Sequence, residues 1–134
     1  PVHHVGLTVP DLDAALRWYD EKLGFRLVAQ TRNESLDLDM ALVAHSGGGC
    51  LELFGLPQTT RTEPEYSDVP SHLPFEGWRH VAFDVPDIAQ ALAKASEQGI
   101  EIASGINLAE PFGYKWAFIR DPFGNLLEFV EALS

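Results

Sequence analysis

The chain has 134 residues, 46% of them hydrophobic and 22% charged, with nine basic against twenty acidic residues and a formal net charge of −11. That length supports one compact domain or two small modules sharing a core. So acidic a chain repels nucleic acid and anionic membranes, which excludes both as expected partners, and no apolar run approaches the roughly 20 residues of a membrane span. The single cysteine, Cys50, excludes an intrachain disulfide. With no signal-peptide pattern in view, it fits a reducing compartment, and the expected location is cytoplasmic.

Taken in order, the chain begins with an alternating stretch in which Val5, Leu7 and Val9 share one parity and His4, Gly6 and Thr8 the other. Period-two alternation predicts a half-buried strand. Asp11 then stands as an N-cap before Leu12, Ala15, Leu16, Tyr19 and Leu23, whose spacing predicts an amphipathic helix over 12–23 ended by Gly24. Strands follow at 25–32, 38–44 and 50–54, separated by turns at Asn33-Glu34-Ser35 and Gly47-Gly48-Gly49. Residues 1–55 thus read as a βαβββ module.

Residues 56–77 form a connector in which Pro57, Pro64, Pro70 and Pro74 oppose regular structure. His72 in this connector reads as an exposed loop residue. The second module, 78–134, repeats the first: a strand from Trp78 to Val85, a helix capped by Asp87 and ended by Gly99, and strands at 100–103, 114–120 and 126–130. Residues 105–113 read as a loop able to move as a lid.

The repeat is one of residues as well as of elements. His80, Val81, Val85, Pro86 and Asp87 answer His4, Val5, Val9, Pro10 and Asp11, and Gly124-Asn125-Leu126-Leu127-Glu128 answers Gly48-Gly49-Cys50-Leu51-Glu52, each 76 positions on (4 to 80, 52 to 128). A fixed internal offset identifies the building unit. Each module therefore carries one His near its start, on the strand parity that bears the smaller residues, and one Glu near its end. Burying an unpaired carboxylate is costly. If the modules pack about a two-fold axis, two imidazoles and two carboxylates meet, a set suited to a divalent metal with open positions. The alternative is that Glu52 and Glu128 simply pair with Arg or His. Other candidates carry less. His3 lies on the apolar parity and reads as structural or exposed, His45 as a surface residue, Cys50 as packing, and Trp78 as packing at a strand start.

The chain resembles the vicinal oxygen chelate superfamily of glyoxalases, bleomycin-resistance proteins and dioxygenases. The resemblance spans essentially the whole chain. It rests on His4-Val5-Gly6-Leu7-Thr8-Val9-Pro10-Asp11-Leu12, on Trp18-Tyr19 before Leu23-Gly24-Phe25, on the His80 repeat, and on Arg120-Asp121-Pro122-Phe123-Gly124-Asn125-Leu126-Leu127-Glu128. It implies an α+β fold in which two βαβββ modules form a curved mixed sheet with an open cleft. It also implies metal ligands at His4, Glu52, His80 and Glu128, a divalent ion (Ni, Co, Zn, Mn or Fe), and a homodimer acting on a small molecule. The four-residue set is similar to that of bacterial glyoxalase I, a lyase or isomerase that moves a proton beside a carbonyl through an enediolate, with Glu128 or Glu52 as base. Thr8 and Leu56 stand where that enzyme has Arg and Asn, so its glutathione contacts are not evident. Glu52 departs from the fosfomycin-resistance pattern, and from the Gln of methylmalonyl-CoA epimerase. The length is about half that of extradiol dioxygenases. The alternatives are a non-catalytic drug-binding protein and an epimerase or dioxygenase of the same superfamily.

Overall fold

The computed structural model describes residues 1–61 and 68–134, and the chain divides into two compact units, Pro1–Arg61 and Thr62–Ser134. The expected α+β class is observed, each unit building its own mixed sheet; the first is the expected βαβββ module, and the second adds one strand to that order. Pro64 lies outside the described residues. Among those described, no helix is long and apolar enough to cross a membrane.

In the first unit the elements are β1 (Val5–Val9), α1 (Leu12–Leu23), β2 (Phe25–Asn33), β3 (Leu38–His45) and β4 (Cys50–Gly55). Local chemistry starts and stops the helix. The Asp11 carboxylate accepts from the Ala14 amide at 2.9 Å, which satisfies one of the amides a helix start leaves without a partner. Gly24 adopts φ 74°, and its amide closes the last turn on the Asp20 carbonyl; only glycine adopts that conformation cheaply. Leu12, Ala15 and Tyr19 bury one helix face. The Tyr19 ring meets Phe25 edge-on at 6.3 Å, joining α1 to the strand that follows it.

The sheet order is β1-β4-β3-β2. β1 runs parallel to β4, with Gly6 opposite Glu52, while β4, β3 and β2 are antiparallel. A bulge between Leu27 and Ala29 interrupts β2, a common feature of an edge strand. Where β4 ends, helix and sheet approach so closely that a Cβ on Gly55 would lie 2.5 Å from the Cβ of Leu12.

The second unit contains β5 (Val81–Asp84), α2 (Ile88–Glu97), β6 (Glu101–Ile102), β7 (Asn107–Ala109), β8 (Tyr114–Arg120) and β9 (Leu126–Ala132). The sheet order is β5-β9-β8-β6, with β7 also paired to β8. Asp87 caps α2 through the Gln90 amide at 2.9 Å. A second cap comes from far along the chain: the Glu131 carboxylate accepts from the Ile88 amide at 2.8 Å and from Lys115 Nζ at 2.7 Å. Both contacts hold the Glu131 carboxyl below the usual carboxylate range, the Ile88 amide most.

The turn from β8 to β9 is built on Asp121, which is buried. Its carboxylate accepts from the amides of Phe123 (3.0 Å) and Asn125 (2.8 Å) and from the Asn125 side chain (2.8 Å). This set fixes the register in which Phe118 stands opposite Glu128.

Three expectations are corrected. Residues 105–113 are not an irregular loop: β7 pairs with β8, and a 3-10 turn over Glu110–Phe112 follows it. His72 is buried rather than exposed. It ends a 3-10 turn, Pro70–His72. The Arg79 guanidinium reaches its Nδ1 (3.2 Å) and carbonyl (3.0 Å) and also the carbonyls of Gly77 and Glu76. One cation thus gathers the end of the connector. Trp78 is not packed: it is 95% exposed.

Two outcomes follow. Gly55→Ala is expected to lower stability by roughly 1–3 kcal/mol in denaturant unfolding, because α1 must shift to admit the methyl group. Glu131→Gln is expected to unfold more readily than wild type at neutral pH. A carboxyl held low stabilises the fold above its unfolded-state pKa and stops doing so as pH falls through its folded-state value. The gap between the two proteins, followed from neutral pH into the acid range, is therefore expected to close below the ordinary carboxylate range.

Candidate functional site

In both units the first strand is hydrogen-bonded in parallel to the last, and the registers are the same. Gly6 pairs with Glu52 in the first unit and Ala82 with Glu128 in the second. Each glutamate thus has a glycine or alanine directly beside it, which leaves room above the carboxylate, and a histidine two positions before that small residue. His4 stands immediately before β1 and His80 immediately before β5, which sets each imidazole at the start of the parallel ladder, near the carboxylate.

The side chains meet. His4 Nε2 lies 3.3 Å from Glu52 Oε2, and His80 Nε2 lies 3.0 Å from Glu128 Oε2. The four residues singled out in the sequence therefore come together as two pairs, one in each unit. Among the described residues no third His, Cys, Asp or Glu joins either pair to make a metal-holding group.

Nitrogen and oxygen ligands sit about 2.0–2.2 Å from a small divalent ion, so adjacent ligands at angles of about 90–110° are about 3.0–3.4 Å apart. The two pairs have that spacing, with an imidazole nitrogen and a carboxylate oxygen facing each other. The donor set therefore fits a divalent cation, with each pair able to supply two adjacent ligands. The same spacing also completes a charge-assisted hydrogen bond between the partners.

The pairs differ in their surroundings. The His4 and Glu52 side chains are 39% and 28% exposed, whereas Glu128 is 9% exposed. Burial pushes the Glu128 carboxyl above its usual range, and the neighbouring His80 pulls it partly back. A carboxylate this buried needs a cation or a donor against it. His80 itself packs edge-on against Phe118, with ring centroids 4.9 Å apart.

One residue gains a role that its strand parity had hidden. His3 Nδ1 lies 2.8 Å from His4 Nδ1, with the rings crossed at 86°. Only one of these nitrogens can donate. If His4 donates, its Nε2 presents a lone pair toward Glu52, the tautomer a metal ligand requires; if His3 donates, His4 Nε2 carries the proton and bonds the carboxylate. His3 thus sets which face His4 presents. Alternation could not show this, because β1 begins only at Val5 and residues 3 and 4 precede the ladder. The His-His doublet was the available signal.

Cys50 is half-buried on the Glu52 face of β4. His45 is exposed and accepts from the Gly47 amide at 2.9 Å, as a turn residue.

Comparison with known proteins gives a consistent placement. YwkD of Bacillus subtilis is 30% identical, the match covering 97% of this chain and 95% of that protein. A 2-epi-5-epi-valiolone epimerase from an Actinomyces species is 29% identical over 97% of this chain and 78% of its own length. Among solved structures, the glyoxalase family protein from Enterococcus faecalis superposes with a TM-score of 0.78 at 29% identity, covering 98% of this chain and 97% of that one. The family model for the Glyoxalase/Bleomycin resistance protein/Dioxygenase superfamily matches residues 2–129, and the chain belongs to that superfamily.

Proposed function

We propose that the protein is a divalent-metal-dependent enzyme, a lyase or isomerase of the glyoxalase I type, acting on a small substrate that carries two adjacent oxygens. The observation that carries this reading is the repeated pair, His4 with Glu52 and His80 with Glu128, at ligand spacing. His4, Glu52, His80 and Glu128 are its proposed ligands, with Ni, Co, Zn, Mn or Fe as the candidate ions. When bound, such an ion supplies Lewis acidity to the substrate's oxygens. The chain's own residues do the rest. The imidazoles fix the ligand geometry, and His3 orients His4. A carboxylate takes a proton from the carbon beside a carbonyl and returns it, with Glu128, in the drier setting, as first candidate and Glu52 as second. The similarity to an epimerase supports proton transfer at carbon. The notable departures from glyoxalase I, Thr8 and Leu56, support a substrate other than a glutathione adduct. The protein is further proposed to be a cytoplasmic homodimer.

A second reading keeps the fold and removes the chemistry. Each His–Glu pair already matches an imidazole with a carboxylate at ion-pair distance, which suits a protein that binds a small molecule without a metal.

Metal content separates the two readings. Protein purified without chelator or a nickel column is expected to carry near-stoichiometric metal, and His80→Ala to lose it. Wild-type protein that takes up no Ni, Co, Zn, Mn or Fe on titration would leave only the binding reading. His3→Ala is expected to weaken metal affinity by about 10–100-fold, the usual effect of losing an orienting partner, measured by competition with a chromogenic chelator.

A further inference from the structure

β8 carries Tyr114, Trp116 and Phe118 in alternation with Lys115, Ala117 and Ile119. The alternation separates two faces. Ala117 and Ile119 are fully buried. The register sets Phe118 opposite Glu128, Trp116 opposite Val130 and Tyr114 opposite Ala132, so all three rings share the face of the Glu128 carboxylate.

They form a row that starts at the His–Glu pair. The Phe118 ring meets His80 at 4.9 Å and Trp116 at 5.4 Å, edge-on in both cases. Tyr114 follows two residues along the same face, about 7 Å away, and Phe112 stacks on it at 6.0 Å with planes 21° apart. Burial falls along the row: Phe118 is 5% exposed, Tyr114 and Trp116 are half-buried, and Phe112 is 75% exposed. Phe118 therefore belongs to the packed interior of the unit, while the next rings offer surface without being needed to close the core.

The charges on this face are mostly negative. Ala82 and Glu128 are register partners, as are Asp84 and Val130, which places Asp84 with Glu128; Glu101 joins them through Arg120. The Arg120 guanidinium is held by Glu101 at 3.2 Å and by the Gly124 carbonyl at 3.4 Å. Lys115 is on the opposite parity, paired with Glu131. A phosphate or carboxylate on the ligand would meet carboxylates here.

We propose that this face of the second unit selects an uncharged ligand bearing an aromatic ring directly beside its oxygen pair, with the oxygens at His80 and Glu128 and the ring against Trp116. The oxygen-pair half of this assignment rests on the metal-dependent reading above; the ring half rests on the row alone. Ring–ring contact and the burial of apolar area both favour such a ligand over an aliphatic one of the same chelating chemistry.

Acetohydroxamate and benzohydroxamate test it, since they share one chelating group and differ by methyl against phenyl. Each is titrated calorimetrically into zinc-loaded and chelator-stripped protein, for wild type, Trp116→Leu and Tyr114→Leu, with folding of each variant checked by circular dichroism. Zinc-loaded wild type is expected to bind benzohydroxamate about tenfold more tightly than acetohydroxamate. That ratio is expected to fall toward one in Trp116→Leu and to persist in Tyr114→Leu, because Tyr114 lies farther along the row; a tenfold ratio kept by Trp116→Leu would overturn the placement of the ring. Equal affinities that both require zinc would overturn the selection of an aromatic ring and leave the metal reading standing. Benzohydroxamate binding that needs Trp116 but is indifferent to zinc would support the aromatic face and overturn the metal reading. No binding of either compound at millimolar concentration would overturn the proposal.

Discussion

The parallel pairing of first strand with last is the constraint on which each unit depends. Parallel neighbours cannot be joined by a tight turn, so the chain must leave β1, cross over through α1, and return by two antiparallel strands to lay β4 beside the strand it started from. That route defines a βαβββ module, and it also places a histidine just ahead of the first strand beside a carboxylate 48 residues later (4 to 52, 80 to 128). One register both packs the core and brings imidazole to carboxylate. Shifting that register by one residue would send the glutamate to the helix side of the sheet, where Leu51, Leu53, Leu127 and Phe129 are buried. The apolar core thus guards the position of the polar pair.

Around that register the two units differ in what they protect. The first leaves Glu52 in partial contact with solvent and supports His4 through His3. The second draws Glu128 inward beside Phe118 and gives His80 an aromatic wall. A repeated His–Glu pair has come to sit in two environments, one wetter and more polar, the other drier and lined by rings. Burial raises the Glu128 carboxyl above its usual range, a setting suited to a group that exchanges a proton.

Much of this was legible before any coordinates. The helix boundaries followed from Asp11, Gly24 and Asp87, because capping is chemistry between near neighbours. That each module carries one His near its start and one Glu near its end followed from a repeat with the same offset for both residue types, whereas their meeting within each unit needed the parallel register of first strand with last. The misreadings share a cause: each depended on a partner remote in sequence or on chain lying outside a regular ladder. His72 is buried because Arg79 gathers the carbonyls around it, which no local pattern announces. Residues 107–109 pair with β8 although Pro111 and the flanking glycines resemble a loop. His3 was judged by an alternation that had not yet begun at its position. Trp78 was judged in the same way, as though the strand already included it; β5 starts three residues later.

The same topology has a consequence for how the molecule assembles. Gly6 and Glu52 are 46 residues apart, as are Ala82 and Glu128, whereas β8 and β9 are joined across the short Asp121 turn. Contacts between near neighbours in sequence form before those that must close a long loop. The hairpins therefore precede the parallel ladder, and each His–Glu pair is among the last features of its unit to form. Because the pair exists only once α1 or α2 has docked and the crossover has closed, the His–Glu spacing in each unit reports on the completion of folding as well as on the identity of the two residues.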